Sequence, residues 1–383
     1  MLRLAALFAF LLVILAGFFG EQRAFKNIAP LMVWAIAWVG FAYTAALLGN
    51  LWALVNPFDT LFRGVERLFG QGKYFSYPPR LGVWPAVALF LAFAWVELVW
   101  QGADAPAGVV TAIIAYSALT WLGMLLFGRE EWLRRGEVFT VVYGYLARFA
   151  PLEARTASGR PQWNLRPYAV GLLPRDPLGP SEIVLVILIL AAVSFDGFLE
   201  TPAWAAILER FDYDHALLRT SGLIAALVVF LAAYLFTCGA IVRLGSSNPA
   251  QSRARAAGLF VLTVVPIAIA YHIAHYLSFF LMASQYLVPL ASDPFGWGWD
   301  LFGGGRQFIR PAIIDARALW YVSVAAIVAG HVVAVVLAHV TALREFANRR
   351  AAVRSQYPMV ALMVAYTMTS LWIIAQPIVT PER

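Results

Sequence analysis

Charged side chains are scarce in this sequence. Asp, Glu, Lys and Arg make up 13% of its 383 residues, where a soluble globular chain averages about 25%. That leaves too little polar surface to cover a water-facing shell. Cysteine is scarcer still. The single Cys238 excludes an intramolecular disulfide, and its place in an apolar run marks a small buried hydrophobe rather than a reactive thiol. Internal repeats and low-complexity stretches are absent. The one glycine run, Gly303-Gly304-Gly305, precedes neither strand nor helix in a nucleotide-binding context, so it gives no phosphate cradle.

What is abundant is apolar. Hydrophobic residues reach 62%, and 14 Trp, 15 Tyr and 27 Phe are present; the mean hydropathy is +0.74. Trp and Tyr favour the headgroup level of a bilayer, where an apolar ring keeps a polar tip wet. Runs of about 20 apolar residues suffice to cross a hydrocarbon core about 30 Å thick. They occur at Leu4–Gly20, Pro30–Leu54, Gly82–Trp100, Gly108–Phe127, Ile183–Glu200, Gly222–Val242, Ala256–Leu281, Leu319–Leu343 and Met359–Val379. The first is short, but Ala16-Gly17-Phe18-Phe19-Gly20 is a poor cleavage site, so it reads as an uncleaved helix. The expectation is an all-α integral membrane protein: one polytopic domain over residues 1–383, a bundle of about nine transmembrane helices.

Charge orients these spans. Arg63, Arg67, Lys73 and Arg80 follow span two. Arg129, Arg134, Arg135, Arg148, Arg155, Arg160, Arg166 and Arg175 follow span four. Arg243, Arg253 and Arg255 follow span six, and Arg344, Arg349, Arg350 and Arg354 follow span eight. The intervening loops are acidic or mixed, with Asp104, then Glu209, Asp212 and Asp214, then Asp293, Asp300 and Asp315. Basic loops stay cytoplasmic. The N-terminus is therefore expected in the cytoplasm and the C-terminus outside. The net charge of +7 is topological and gives no support to nucleic-acid binding. Residues 129–181 are expected as a cytoplasmic loop insert opening on an amphipathic turn, Glu130–Arg135, with Pro161–Pro167 an ordered loop. Residues 292–316 are expected as an extracytoplasmic loop with Trp297 and Trp299 at the interface.

Ionisable groups inside spans are expensive and mark function. Here they are Glu97, Asp196, Glu200, His272, His275, His331 and His339. Counted at 1.5 Å per residue from the cytoplasmic boundary, Glu97 lies roughly 22 Å deep, Asp196 roughly 20 Å, Glu200 roughly 26 Å, the His272/His275 pair roughly 24–28 Å and His331 roughly 20 Å. These form one layer. His339, roughly 8 Å from the edge, falls outside it and reads as packing or an interhelical hydrogen bond. In Tyr271-His272-Ile273-Ala274-His275-Tyr276 the two imidazoles stand at i and i+3 on one helix face. With His331 and Asp196 they would offer three nitrogens and one oxygen to a divalent transition metal, zinc foremost. Glu97 or Glu200 could then orient a ligand or act as general base. The plainer alternative is a set of buried imidazoles bonded to neighbouring helices. Pro266 is expected to kink span seven beside the pair. His215 reads as solvated, and Asn56-Pro57-Phe58-Asp59 as a helix stop.

The runs Leu51–Phe58, Tyr271–Tyr276, Gly330-His331 through Ala338-His339, and Ser355–Met359 through Ser370-Leu371-Trp372 resemble a bacterial polytopic membrane family known as fenitrothion hydrolase-like. The resemblance extends from about Gly20 to Thr380. Longer members add an amino-terminal segment with a His-Gly element that this chain begins without, as expected of a truncated or divergent member. The resemblance implies cleavage of an organophosphate triester. Three readings follow. The first is an intramembrane metal-dependent hydrolase taking a small lipophilic ester from the lipid bilayer. The second is a transporter or permease using the same layer as a substrate or proton site. The third is a haem-binding redox subunit with His272 or His275 paired to His331.

Overall fold

The structure, a computed structural model, describes residues 1–376 apart from 71, 158–159, 175, 212, 246–251, 306–307, 311–312 and 347. Arg175, Asp212 and the end of the expected ninth span lie outside the described residues. Among those described, nine helices are long and apolar enough to cross a membrane, and strands are confined to one hairpin. The chain is thus all-α in class, with nine candidate spans. It divides into two compact units, Met1–Gly144 with Tyr276–Ala316, and Tyr145–His275 with Arg317–Arg383. No linker or composition shift marks that division in the sequence.

In the first unit the spans are α1 (Leu2–Phe19) and α2 (Ile28–Leu47), then α5 (Trp84–Leu98) and α6 (Pro106–Phe127). Between the second and third come α3 (Trp52–Val55) and α4 (Pro57–Phe69). Span two stops at Leu47, seven residues before the expected Leu54, because Leu48 and Gly49 turn the chain out of the helix with both amides on the Thr44 carbonyl. Its middle, Leu31–Gly40, is wound as a π-helix, a form rare outside functional or strained segments. The Asn56-Pro57 step ends α3, as expected, but it also starts α4. The Asn56 side chain accepts from the Asp59 amide at 3.1 Å, and Pro57 occupies the first helical position, where its missing N–H costs nothing.

The expected loop insert is more structured than a loop. Gly128, at φ 88°, ends α6. The amphipathic turn forms α7 (Arg129–Arg135). Next comes α8 (Val138–Leu146), whose Val138, Val142 and Tyr143 are wholly buried. The stretch expected as an ordered loop is strand β2 (Arg160–Leu165), antiparallel to β1 (Leu152–Ala157), with Glu153 opposite Asn164.

In the second unit α9 (Pro180–Leu199) is followed by α10 (Pro202–Arg210) and α11 (His215–Gly245). Then come α12 (Arg253–Ser284), of which residues up to His275 belong here, and, beyond the short α13 (Leu287–Ser292) of the first unit, α14 (Ala316–Glu345) and α15 (Arg349–Ala375). Helix α11 begins seven residues before the expected Gly222, because Asp214 caps it by accepting from the Ala216 amide at 2.7 Å. His215 is therefore the first residue of a helix. Pro266 carries no N–H to reach back one turn, and the preceding Val261–Val264 winds as a 3-10 turn. Burial singles out two spans, α9 with 72% and α12 with 89% of the apolar stretch buried. These two carry Asp196 and the His272/His275 pair.

Candidate functional site: an imidazole–carboxylate pair between apolar helices

His275 meets Asp196. Its Nε2 lies 3.0 Å from Asp196 Oδ2, and both side chains are largely buried, 10% and 18% exposed. Helix α12 presents His275 one turn beyond Tyr271, whose ring stacks on the imidazole at 6.1 Å with 4° between planes. Helix α9 presents Asp196 beside Gly197. A Cβ at 197 would stand 2.2 Å from the Tyr271 hydroxyl, so the glycine is what lets Tyr271 lie against α9. That hydroxyl is buried and makes no hydrogen bond among the described residues. His272 is buried at 9% exposure and lies in the electrostatic field of both His275 and Asp196. Glu200, at the carboxyl end of α9, acts on His275 and Asp196 in the same way.

The remaining expected members make contacts of their own. Gly330 of α14 backs onto the Pro266 carbonyl and Ala270, and Ser323 Oγ donates to the Ala274 carbonyl at 3.1 Å. This antiparallel register sets His331 level with about residue 267, roughly 8 Å from His272 and roughly 12 Å from His275 along the axis at 1.5 Å per residue. The depth count from sequence missed this by about a turn. His331 Nδ1 donates to the Ile327 carbonyl at 2.8 Å, which fixes the tautomer. Its Nε2 is buried without a hydrogen-bond partner among the described residues, as a ligating imidazole would be prepared. As a set, however, the four expected ligands do not fit an ion. Among the described residues no three His, Cys, Asp or Glu side chains converge closely enough to hold one. Glu97, in the first unit, accepts from the Tyr276 hydroxyl at 3.2 Å. His339 Nδ1 lies 2.7 Å from Gln356 Oε1, the interhelical bond expected for it.

Sequence reasoning missed a second buried carboxylate, in the first unit. Glu137 is fully buried, and six donors reach it. They are Trp52 Nε1 at 3.2 Å, Asn56 Nδ2 at 3.1 Å, the Phe139 and Thr140 amides at 3.1 and 2.8 Å, and the Tyr116 and Thr140 hydroxyls. It sits at the start of α8, where the helix dipole favours an anion. An acid followed by the apolar run Val138–Leu146 is the signal that could have found it. Nearby, Asp59 is shared by Arg129 at 2.8 Å and Arg63 at 2.9 Å, and Arg129 also grips Glu66 at 2.8 Å.

Fold and site define a class: an all-α protein with nine candidate membrane spans and an imidazole–carboxylate pair among its apolar helices. No protein-family model, no curated protein and no solved structure matches the chain.

Proposed function

We propose that the protein is a multi-pass protein of the bacterial cytoplasmic membrane, with its N-terminus in the cytoplasm, that acts as a proton-coupled permease for a small lipophilic substrate. The observation carrying this reading is the His275–Asp196 contact at 3.0 Å on two largely buried helices. An imidazole facing a carboxylate in a low dielectric has two arrangements, a charged pair and a neutral pair sharing the proton, because desolvation opposes the attraction between the charges. A substrate or a proton arriving at the pair shifts the balance between them, which is what coupling requires. His272 and Glu200 supply further titratable groups within its field. Such clusters typically mark ion and proton pathways.

The test is infrared difference spectroscopy of the purified chain in lipid during a pH titration. Carboxyl and imidazole bands are expected to change together in the wild type, and both changes are expected to vanish in Asp196→Asn and in His275→Asn. Difference spectra identical in wild type and Asp196→Asn would overturn the reading.

A second reading, hydrolysis of an organophosphate-type ester, draws on the same pair. A carboxylate that orients an imidazole makes a general base, and the buried Tyr271 hydroxyl beside it is a candidate donor to a developing oxyanion. Release of nitrophenol from a chromogenic phosphotriester, abolished in His275→Asn but retained in His339→Asn, would select hydrolysis over transport. A zinc-dependent form of this reading would need ligands for His331 beyond the four residues expected, and elemental analysis finding no ion per chain in the wild type would overturn it.

A further inference from the structure

One end of the second unit gathers arginine. Helix α11 ends, α12 begins, α14 ends and α15 begins there. Four contacts fix that convergence. Arg255 binds Glu345 through both oxygens, at 2.7 and 3.0 Å. Gly239 lies against the Arg253 side chain, and Gly245 against Ser355 and Phe346. The Tyr234 hydroxyl donates to the Ala257 carbonyl at 2.6 Å. Around this junction stand Arg243, Arg253, Arg344, Arg349, Arg350 and Arg354, all exposed. Among the described residues none of these six has an ion-pair partner. The acids at hand, Glu345 and Asp176, act on Arg255. The unit contains no lysine.

Apolar surface adjoins the arginines. Leu244 follows Arg243, Leu343 precedes Arg344 and Val353 precedes Arg354; with Tyr357 they are 49%, 43%, 38% and 63% exposed. Helix α14, with 30 residues, is about 45 Å long at 1.5 Å per residue, longer than a hydrocarbon core of about 30 Å. In a bilayer its ends therefore reach headgroup level.

We propose that this collar binds anionic glycerophospholipid, the arginines holding the headgroup phosphate and the adjoining apolar residues lying along the acyl chains. A guanidinium fork matches phosphate oxygens two at a time. Free phosphate would use only the arginines, and a nucleic acid would leave the apolar strip exposed to water. A lipid uses both. Basic sites between helix ends are a known means of holding acidic lipid headgroups. The inference needs the chain to span a bilayer and does not depend on what the His275–Asp196 pair does.

Native mass spectrometry of the full chain, released from micelles holding equal phosphatidylglycerol and phosphatidylcholine, tests it. Bound phosphatidylglycerol is expected to exceed phosphatidylcholine by about threefold or more. The variant R344Q/R349Q/R350Q/R354Q should bring the ratio close to one. The variant R23Q/R210Q/R310Q/R317Q removes the same charge elsewhere and should leave the ratio unchanged. If the first variant does not fold, the singles R344Q and R354Q carry the test, each lowering the ratio. Equal binding of the two lipids by the wild type would overturn the proposal, as would an equal loss in both fourfold variants. So would displacement of the lipid by inorganic phosphate or a short nucleic-acid duplex at the same phosphate concentration.

Discussion

Glu137 carries the strongest residue-scale expectation. Its six donors come from α3, α6, α8 and the Asn56 cap, so removing the carboxylate strands buried N–H and O–H groups in several helices at once. Each buried donor left unpaired costs about 1–3 kcal/mol. Glu137→Ala is therefore expected to destabilise the fold by about 3 kcal/mol or more, read as a lowered midpoint of thermal unfolding by tryptophan fluorescence in detergent. An unchanged midpoint would show that the donors find other partners. Gly197 makes the complementary case at the proposed site. A methyl there meets the Tyr271 hydroxyl, so Gly197→Ala should cost about 1–3 kcal/mol through overpacking. Because it displaces Tyr271 from α9, it should also alter the infrared titration of the His275–Asp196 pair, while Gly64→Ala, which meets nothing within 4 Å, should do neither. At this scale the sequence was half legible. The residue types were readable: polar groups in apolar spans stand out, and His275 does meet Asp196. Which of them touch was not readable, because register between antiparallel helices depends on close approaches such as Gly330 against Pro266.

Helices were legible to the extent that hydrophobic length defines them, and illegible where capping and tertiary burial decide. Nine apolar runs became nine candidate spans. Yet α11 extends to His215 because Asp214 caps it, and α15 begins at Arg349 because Asn348 accepts from the Arg350 amide at 2.9 Å. Helix α8 hid inside an Arg-rich stretch that looks like a solvated loop, since nine apolar residues are too few to register as a span. Its burial predicts that a cysteine at Val142 reacts with a water-soluble maleimide far more slowly than one at Arg134, an exposed residue of α7. The native Cys238 is buried and should give little background. Equal labelling of both sites in folded protein would refute the burial of α8. The loop after α13 offers a pH test. Asp300 accepts from the Gly305 amide and the Ser292 hydroxyl, both at 3.0 Å, and these bonds hold its carboxyl below the usual aspartate range. A depressed folded value means that the loop is stabilised above about pH 3.9, the unfolded aspartate value, and loses that support as pH falls through the folded one. A fluorotryptophan resonance at Trp299 should therefore stay in place from neutral pH to about 4 and move only below it. In Asp300→Asn it should be displaced already at neutral pH.

For the whole molecule, the proposed orientation rests on charge. Arg and Lys follow spans two, four, six and eight, and the loops between are acidic or mixed. Basic loops near span ends resist translocation, so this pattern favours the proposed orientation, although Arg23 and Lys26, between spans one and two, weigh against it. If all nine candidate spans cross, the two ends of the chain lie on opposite sides. A reporter active only outside the cytoplasm, fused after Ala375, is expected to be active. The same reporter fused at Gly136, between α7 and α8, should be inactive. The sharper test is the single crossing of α9, because residues 145–181 carry both β1 and β2 and several arginines before it. Replacing Arg148, Arg155, Arg160 and Arg166 with Gln removes half of the eight arginines between spans four and five while leaving the apolar spans untouched. Arg166 also binds Glu153 at 2.8 Å, so the hairpin should loosen, but orientation should hold if the other basic loops act together. A reporter at Gly136 that gains activity in this variant would mean that the bias resides in this insert alone. Activity at Gly136 in the unaltered chain would reverse the orientation outright and put the arginine collar of α11, α12, α14 and α15 on the outer face.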